Sequence, residues 1–130
     1  MEQIQIKDLS AASPREIADK IIEILNVKDA KDLKLLHVED KTIIADYFVI
    51  CSGNNVTQLR SFAGEVEFRM GQCSCPPRSM EGYDTASWIV LDFASVIVHI
   101  FNRETRTFYN LEKLWESAEE VDISSQISDK

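Results

Sequence analysis

The sequence predicts an α/β fold of the α+β type, with a mixed sheet of about five strands flanked by helices. Three observations carry that prediction. Two segments, 17–25 and 56–70, space their apolar residues as one-sided helices. Tyr47-Phe48-Val49-Ile50-Cys51 is apolar without interruption, as in a strand covered on both faces. Residues 88–93 and 96–101 are rich in β-branched and aromatic side chains, and only Ala94-Ser95 separates them, so a hairpin follows.

In chain order, Ser13-Pro14-Arg15-Glu16 opens the first helix. Ser13 is the cap, Pro14 suits the first turn, and Glu16 completes a capping box. Ile17, Ile21, Ile24 and Leu25 then form one stripe up to about Asn26. Residues 33–38 read as a short strand, with a turn at 39–42. The central strand at 46–51 ends at Ser52-Gly53, where Asn54 or Asn55 caps a second helix carrying Val56, Leu59, Phe62, Ala63, Val66 and Met70. A loop at 71–77, a short edge strand at 78–81 before Gly82, the hairpin, and a last short helix from Asn110 to Trp115 complete the order. One domain over 1–120 is expected, with a mobile polar tail at 121–130.

With 130 residues, 45% of them hydrophobic, a core burying roughly two thirds of the unfolded surface is attainable. No apolar run approaches the ~20 residues of a membrane span. The start, Met1-Glu2-Gln3-Ile4, lacks the basic opening and apolar stretch of a secretory signal, so a cytoplasmic location is expected. A net charge of -8, from 22 acidic and 14 basic side chains, opposes contact with a phosphate backbone and suits a basic protein partner. Sequence-specific nucleic-acid binding is not expected.

Enzyme chemistry finds few footholds. Ser52-Gly53-Asn54-Asn55 lies between strand and helix, where backbone amides can hold an anion, but it lacks a P-loop lysine and the glycines of a dinucleotide fingerprint. Asp92 has no acidic neighbour on its strand with which to hold divalent metal. His99 sits inside a strand without a nearby nucleophile, so a hydrogen-bonding sheet histidine is the simpler reading, with an interface contact as the other. Cys51 reads as a buried thiol. Cys73-Ser74-Cys75 lacks the second ligand pair of a structural zinc site, so neither metal nor cofactor is expected. Trp88 admits two readings, an open hot spot at the sheet margin or a core residue. Phe93, beside a tight turn, has the better claim to exposure.

Asp46 through Gly53, Gln58, Glu81-Gly82, Trp88 through Phe101 and Phe108 through Trp115, taken together, resemble the ribosomal silencing factors of the Iojap/YbeB family. The resemblance covers about residues 13 to 118. It implies a mixed sheet with flanking helices, related in shape to nucleotidyltransferases but without their catalytic acids. It also implies a partner and a mechanism: binding ribosomal protein fourteen of the large ribosomal subunit, which obstructs joining of the small subunit and lowers translation when nutrients are scarce.

The contact residues carried over are Trp88, Leu91, Asp92, Phe93, Ser95 and His99. Family members commonly have Gly-Asp in the hairpin turn. Here Ala94-Ser95 stands instead, removing a negative charge at 95 and shifting docking toward apolar burial by Trp88 and Phe93. Self-association is also implied, and a homodimer is expected to compete with ribosome binding. Two other readings stand beside this one: a factor acting in large-subunit assembly, and a nucleotidyltransferase-like enzyme.

Overall fold

The computed structural model describes residues 4–127. Helix α1 spans Pro14–Val27, and its start follows the capping logic: Glu16 N–H donates to Ser13 Oγ at 3.2 Å, and Ser13 N–H donates to Glu16 Oε1 at 3.0 Å. Strands β1 (Lys31–His37) and β2 (Tyr47–Gly53) lead into α2 (Val56–Gln72), capped by Asn55, whose side chain accepts from Gln58 N–H. Strands β3 (Ser79–Glu81), β4 (Trp88–Asp92) and β5 (Val96–Asn102) precede two short helices, α3 (Arg103–Tyr109) and α4 (Leu111–Leu114), and strand β6 (Glu119–Val121).

The sheet is mixed, with order β3-β4-β5-β2-β1-β6. β2 and β5 pair in parallel, and the other neighbours are antiparallel. It therefore holds six strands where the sequence predicts about five. The sixth, β6, pairs with β1 through Leu35↔Val121 and His37↔Glu119. Its Glu119-Glu120-Val121 sequence has no hydrophobic alternation because a charged edge strand protects the sheet margin rather than filling a core. Helix α3 also goes beyond the sequence reading. Its N-cap is Asn102, which accepts from Thr105 N–H at 2.8 Å.

Strand alternation sorts side chains onto two faces. Helices α1 and α2 cover one, burying Ile21, Leu25, Phe62 and Val66 against Leu35, Val49, Leu91 and Val98. On the other, Leu36, Phe48, Ile50 and Phe101 form a smaller cluster under Leu111 and Trp115. Packed structure continues past the boundary drawn at residue 120: Ile123 is buried in the larger cluster, and Gln126 Nε2 donates to Asp19 Oδ1 at 3.1 Å. Residues 128–130 of the expected tail lie outside the described residues.

Candidate functional site

The hairpin of β4 and β5 places the sequence-predicted residues on opposite faces. Period-two alternation turns Ile89 and Leu91 toward the helices and leaves Trp88, Val90 and Asp92 half-buried. Leu91 is fully buried, and Phe93, expected to be exposed at the turn, is only 6% accessible and belongs to the larger core. The physical reason is the turn itself: Phe93 N–H donates to Val96 O at 2.8 Å, which keeps the residue in the ladder and points its ring inward. Neither Leu91 nor Phe93 therefore offers a side chain to a partner.

Trp88 lies over the smaller cluster. Its ring centroid is 4.9 Å from Phe101 and 5.0 Å from Tyr109, and its Nε1–H donates to His99 Nδ1 at 3.2 Å. Gly82 permits this placement, since with φ at 83° a Cβ there would lie 2.1 Å from the Trp88 carbonyl oxygen. His99 is 7% accessible, with Phe48 edge-on at 5.0 Å. Burial lowers its pKa to about 4, so the ring is neutral at physiological pH. An indole N–H only donates, so Nδ1 is the acceptor and the proton resides on Nε2, which is buried without a hydrogen-bond partner. His99 is thus a hydrogen-bonding sheet residue.

Asp92 is committed locally. Its Oδ1 accepts from Ala94 N–H at 2.7 Å and lies 3.2 Å from Nε of Arg78, which immediately precedes β3, so its charge is engaged by the turn and the neighbouring edge of the sheet. Ser95 is half-buried, and its carbonyl accepts from both Asp46 N–H and Tyr47 N–H, tying the turn to the start of β2. Trp88, Val90 and Ile97 are half-buried, and on the short helices that follow the hairpin the side chains of Phe108, Tyr109 and Leu114 are exposed.

One polar node escaped the sequence reading. Arg106 on α3 is buried, donates to both carboxylate oxygens of Glu112, and uses Nη1 to reach Ser52 Oγ at 2.7 Å and the Asp32 carbonyl at 2.9 Å. Burial works against ionisation of Glu112, but Arg106 and then Lys34 outweigh it and hold its pKa below the ordinary value. The node fastens α3 and α4 to the carboxyl end of β2. Within it, Asp32 and Arg106 are 74 positions apart, a separation that local sequence patterns do not register.

Cys51 is fully buried, and burial pushes its thiol pKa up to about 12, as suits a structural thiol. Cys73 is buried and Cys75 half-buried, both as free thiols. Among the described residues, no cluster of three or more His, Cys, Asp or Glu is arranged to hold a metal ion, and no helix is long and apolar enough to cross a membrane.

Fold and site together define a small α/β domain whose sheet has one face sealed by helices and the other sealed only in part. Residues 11–130 match the family described as "Ribosomal silencing factor during starvation". A ribosomal silencing factor of Bacillus subtilis is 38% identical over 96 residues, covering 74% of this chain and 81% of the relative. The mouse protein named "Mitochondrial assembly of ribosomal large subunit protein 1" is 32% identical over 100 residues, covering 75% of this chain and 44% of the relative. A crystal structure from Bacillus halodurans superposes with a TM-score of 0.74 at 30% identity, covering 83% of this chain and 98% of that one. The chain belongs to the ribosomal silencing factor family.

Proposed function

We propose that this protein represses translation by occupying a site on the large ribosomal subunit, at ribosomal protein fourteen, where it sterically blocks the small subunit from joining. The observation that carries this reading is the partly open sheet face centred on Trp88, in a chain of the ribosomal silencing factor family. Steric exclusion requires a complementary surface and no reacting group, so the protein acts as a cytoplasmic regulator and not as an enzyme. Half-buried Trp88, Val90 and Ile97 are the centre of the contact. Asp92 and Ser95 lie at its hairpin end, and His99 holds Trp88 from beneath. Tryptophan suits this role because it offers a large apolar area with little rotamer freedom to lose.

The test is sedimentation of the purified protein with separated ribosomal subunits at near-physiological salt. The parent should travel with large subunits. Trp88→Ala should bind roughly 30-fold more weakly, the effect of losing an aromatic anchor worth about 2 kcal/mol. Equal binding by parent and variant would remove this face from the contact.

A second reading, action in large-subunit assembly, is favoured by the name of the mouse relative. Accumulated large-subunit precursors in a deletion strain, together with unimpaired subunit joining in a purified system, would select it.

A further inference from the structure

The most exposed large apolar side chain among the described residues is not on the hairpin: it is Ile43, 103% accessible, in the connection between β1 and β2, and its neighbour Ile44 is 56% accessible. Single exposed apolar residues are commonplace, but two adjacent isoleucines at the tip of a tied loop are a different matter.

The loop is anchored at both ends and across its middle. Val38 and Ala45 are buried in the smaller cluster, and Val38 N–H donates to Asp46 O at 2.8 Å. Lys41 N–H and Thr42 N–H both donate to Val38 O, and Ile44 N–H donates to Thr42 Oγ1 at 3.2 Å. At its far end, Asp46 and Tyr47 donate to the Ser95 carbonyl, which places the loop directly beside the hairpin turn. The chain holds these isoleucines outward, although burying an isoleucine side chain is worth roughly 1.5–3 kcal/mol.

The surroundings narrow the partner. Glu39 and Asp40 are exposed on the approach to the tip, and Lys41 is the single basic side chain in the connection 38–46. A net negative collar around an apolar tip repels phosphate and favours a cationic protein surface. Resting on the docking reading above, we propose that Ile43 and Ile44 form a second anchor, seated in an apolar socket rimmed by basic side chains on the protein partner that the Trp88 face meets.

Subunit sedimentation with the parent, Trp88→Ala, Ile43→Ser and Asp40→Lys separates the two readings. We expect Ile43→Ser to weaken large-subunit binding about tenfold or more, with an unchanged thermal midpoint because Ile43 is outside the core. Asp40→Lys should weaken binding several-fold. If Trp88→Ala loses binding while Ile43→Ser binds as the parent does, the second anchor falls and the docking reading survives. If the parent itself ignores large subunits, both fall. Tighter binding by Asp40→Lys overturns the basic rim. Sedimentation velocity of the protein alone adds a further check: if Ile43→Ser abolishes only self-association, the tip serves a second copy of this chain and the proposal is wrong.

Discussion

The sheet's two faces are drawn from the same strands yet finished to different standards. On one, α1 and α2 bury Ile21, Leu25, Phe62 and Val66 completely or nearly so. On the other, two short helices and Trp115 cover Phe48 and Phe101 but leave Trp88, Val90 and Ile97 half-buried. The sealed face uses its apolar area to hold the fold, whereas the partly sealed face retains area that a partner can still remove from water. Two aromatics of the hairpin, Trp88 and Phe93, separate along this line. Phe93 belongs to the fold and Trp88 to the surface.

The largest expected effect follows from that division. Phe93→Ala should cost roughly 3–5 kcal/mol of stability, read as a lowered urea midpoint, because it opens a cavity under the helices. Its folded fraction should bind large subunits normally. Trp88→Ala should show the reverse balance, with a smaller stability loss and a larger binding loss. A stable Phe93→Ala that no longer binds would show that Phe93 leaves the core to meet the partner, and the comparison of faces would break.

Much of this architecture was readable because local signals and tertiary demands agree. The capping box at Ser13, the stripes of α1 and α2, the apolar run of β2 and the hairpin runs each coincide with the element formed. Strand β6 was not readable, since its Glu-Glu-Val sequence is chosen for an edge and carries no period. Which hairpin residues face outward was legible only in part. Alternation assigns Trp88 and Leu91 to opposite sides and carries Phe93 to the side of Leu91, but which side the helices cover is settled by chain crossings outside the strand. The exposed Ile43-Ile44 pair lay between the turn read at 39–42 and the strand read from 46, in a stretch assigned no element, because exposure is a property of what fails to pack there.

The two histidines sharpen the same contrast. His99, on the partly open face, is the buried one, and burial depresses its pKa to about 4. His37 lies at the rim of the sealed face, stacked on Tyr47 with centroids 4.7 Å apart. Hydrogen bonding to Glu39, then Glu119, raises its pKa. Because the unfolded chain takes up a proton at 99 that the folded chain refuses, the stability tied to His99 is present above about pH 6.5 and is lost as pH falls toward 4. For His37 the sign reverses: its contribution is complete below about pH 6.5 and is lost as pH rises through the raised folded value. Denaturant unfolding at stepped pH should therefore show the parent losing up to ~3 kcal/mol relative to His99→Phe between pH 6.5 and 4. Relative to His37→Gln, it should lose stability on the alkaline side. Parallel profiles for parent and His99→Phe would mean that the ring is hydrated and its face more open than described.

The smallest effect tests the turn at which the two faces meet. Ala94 has φ of 71°, a left-handed conformation that costs a residue with a Cβ roughly 1 kcal/mol and costs glycine almost nothing. The backbone accepts it because Asp92 Oδ1 takes the Ala94 N–H and Ser95 N–H donates to Phe93 O at 2.9 Å, closing the turn around the strained residue. Ala94→Gly should accordingly raise stability by somewhat under 1 kcal/mol, since the more flexible unfolded chain offsets part of the relief. Large-subunit binding should be unchanged, because neither face is touched. Ser95→Asp isolates the other half of the departure from the family's usual turn: if it strengthens binding in a salt-dependent way while Ala94→Gly does not, charge at the hairpin tip reaches the partner and backbone strain does not. A change in binding caused by Ala94→Gly alone would instead show that the turn's conformation, and with it the inward aim of Phe93, is adjusted on docking.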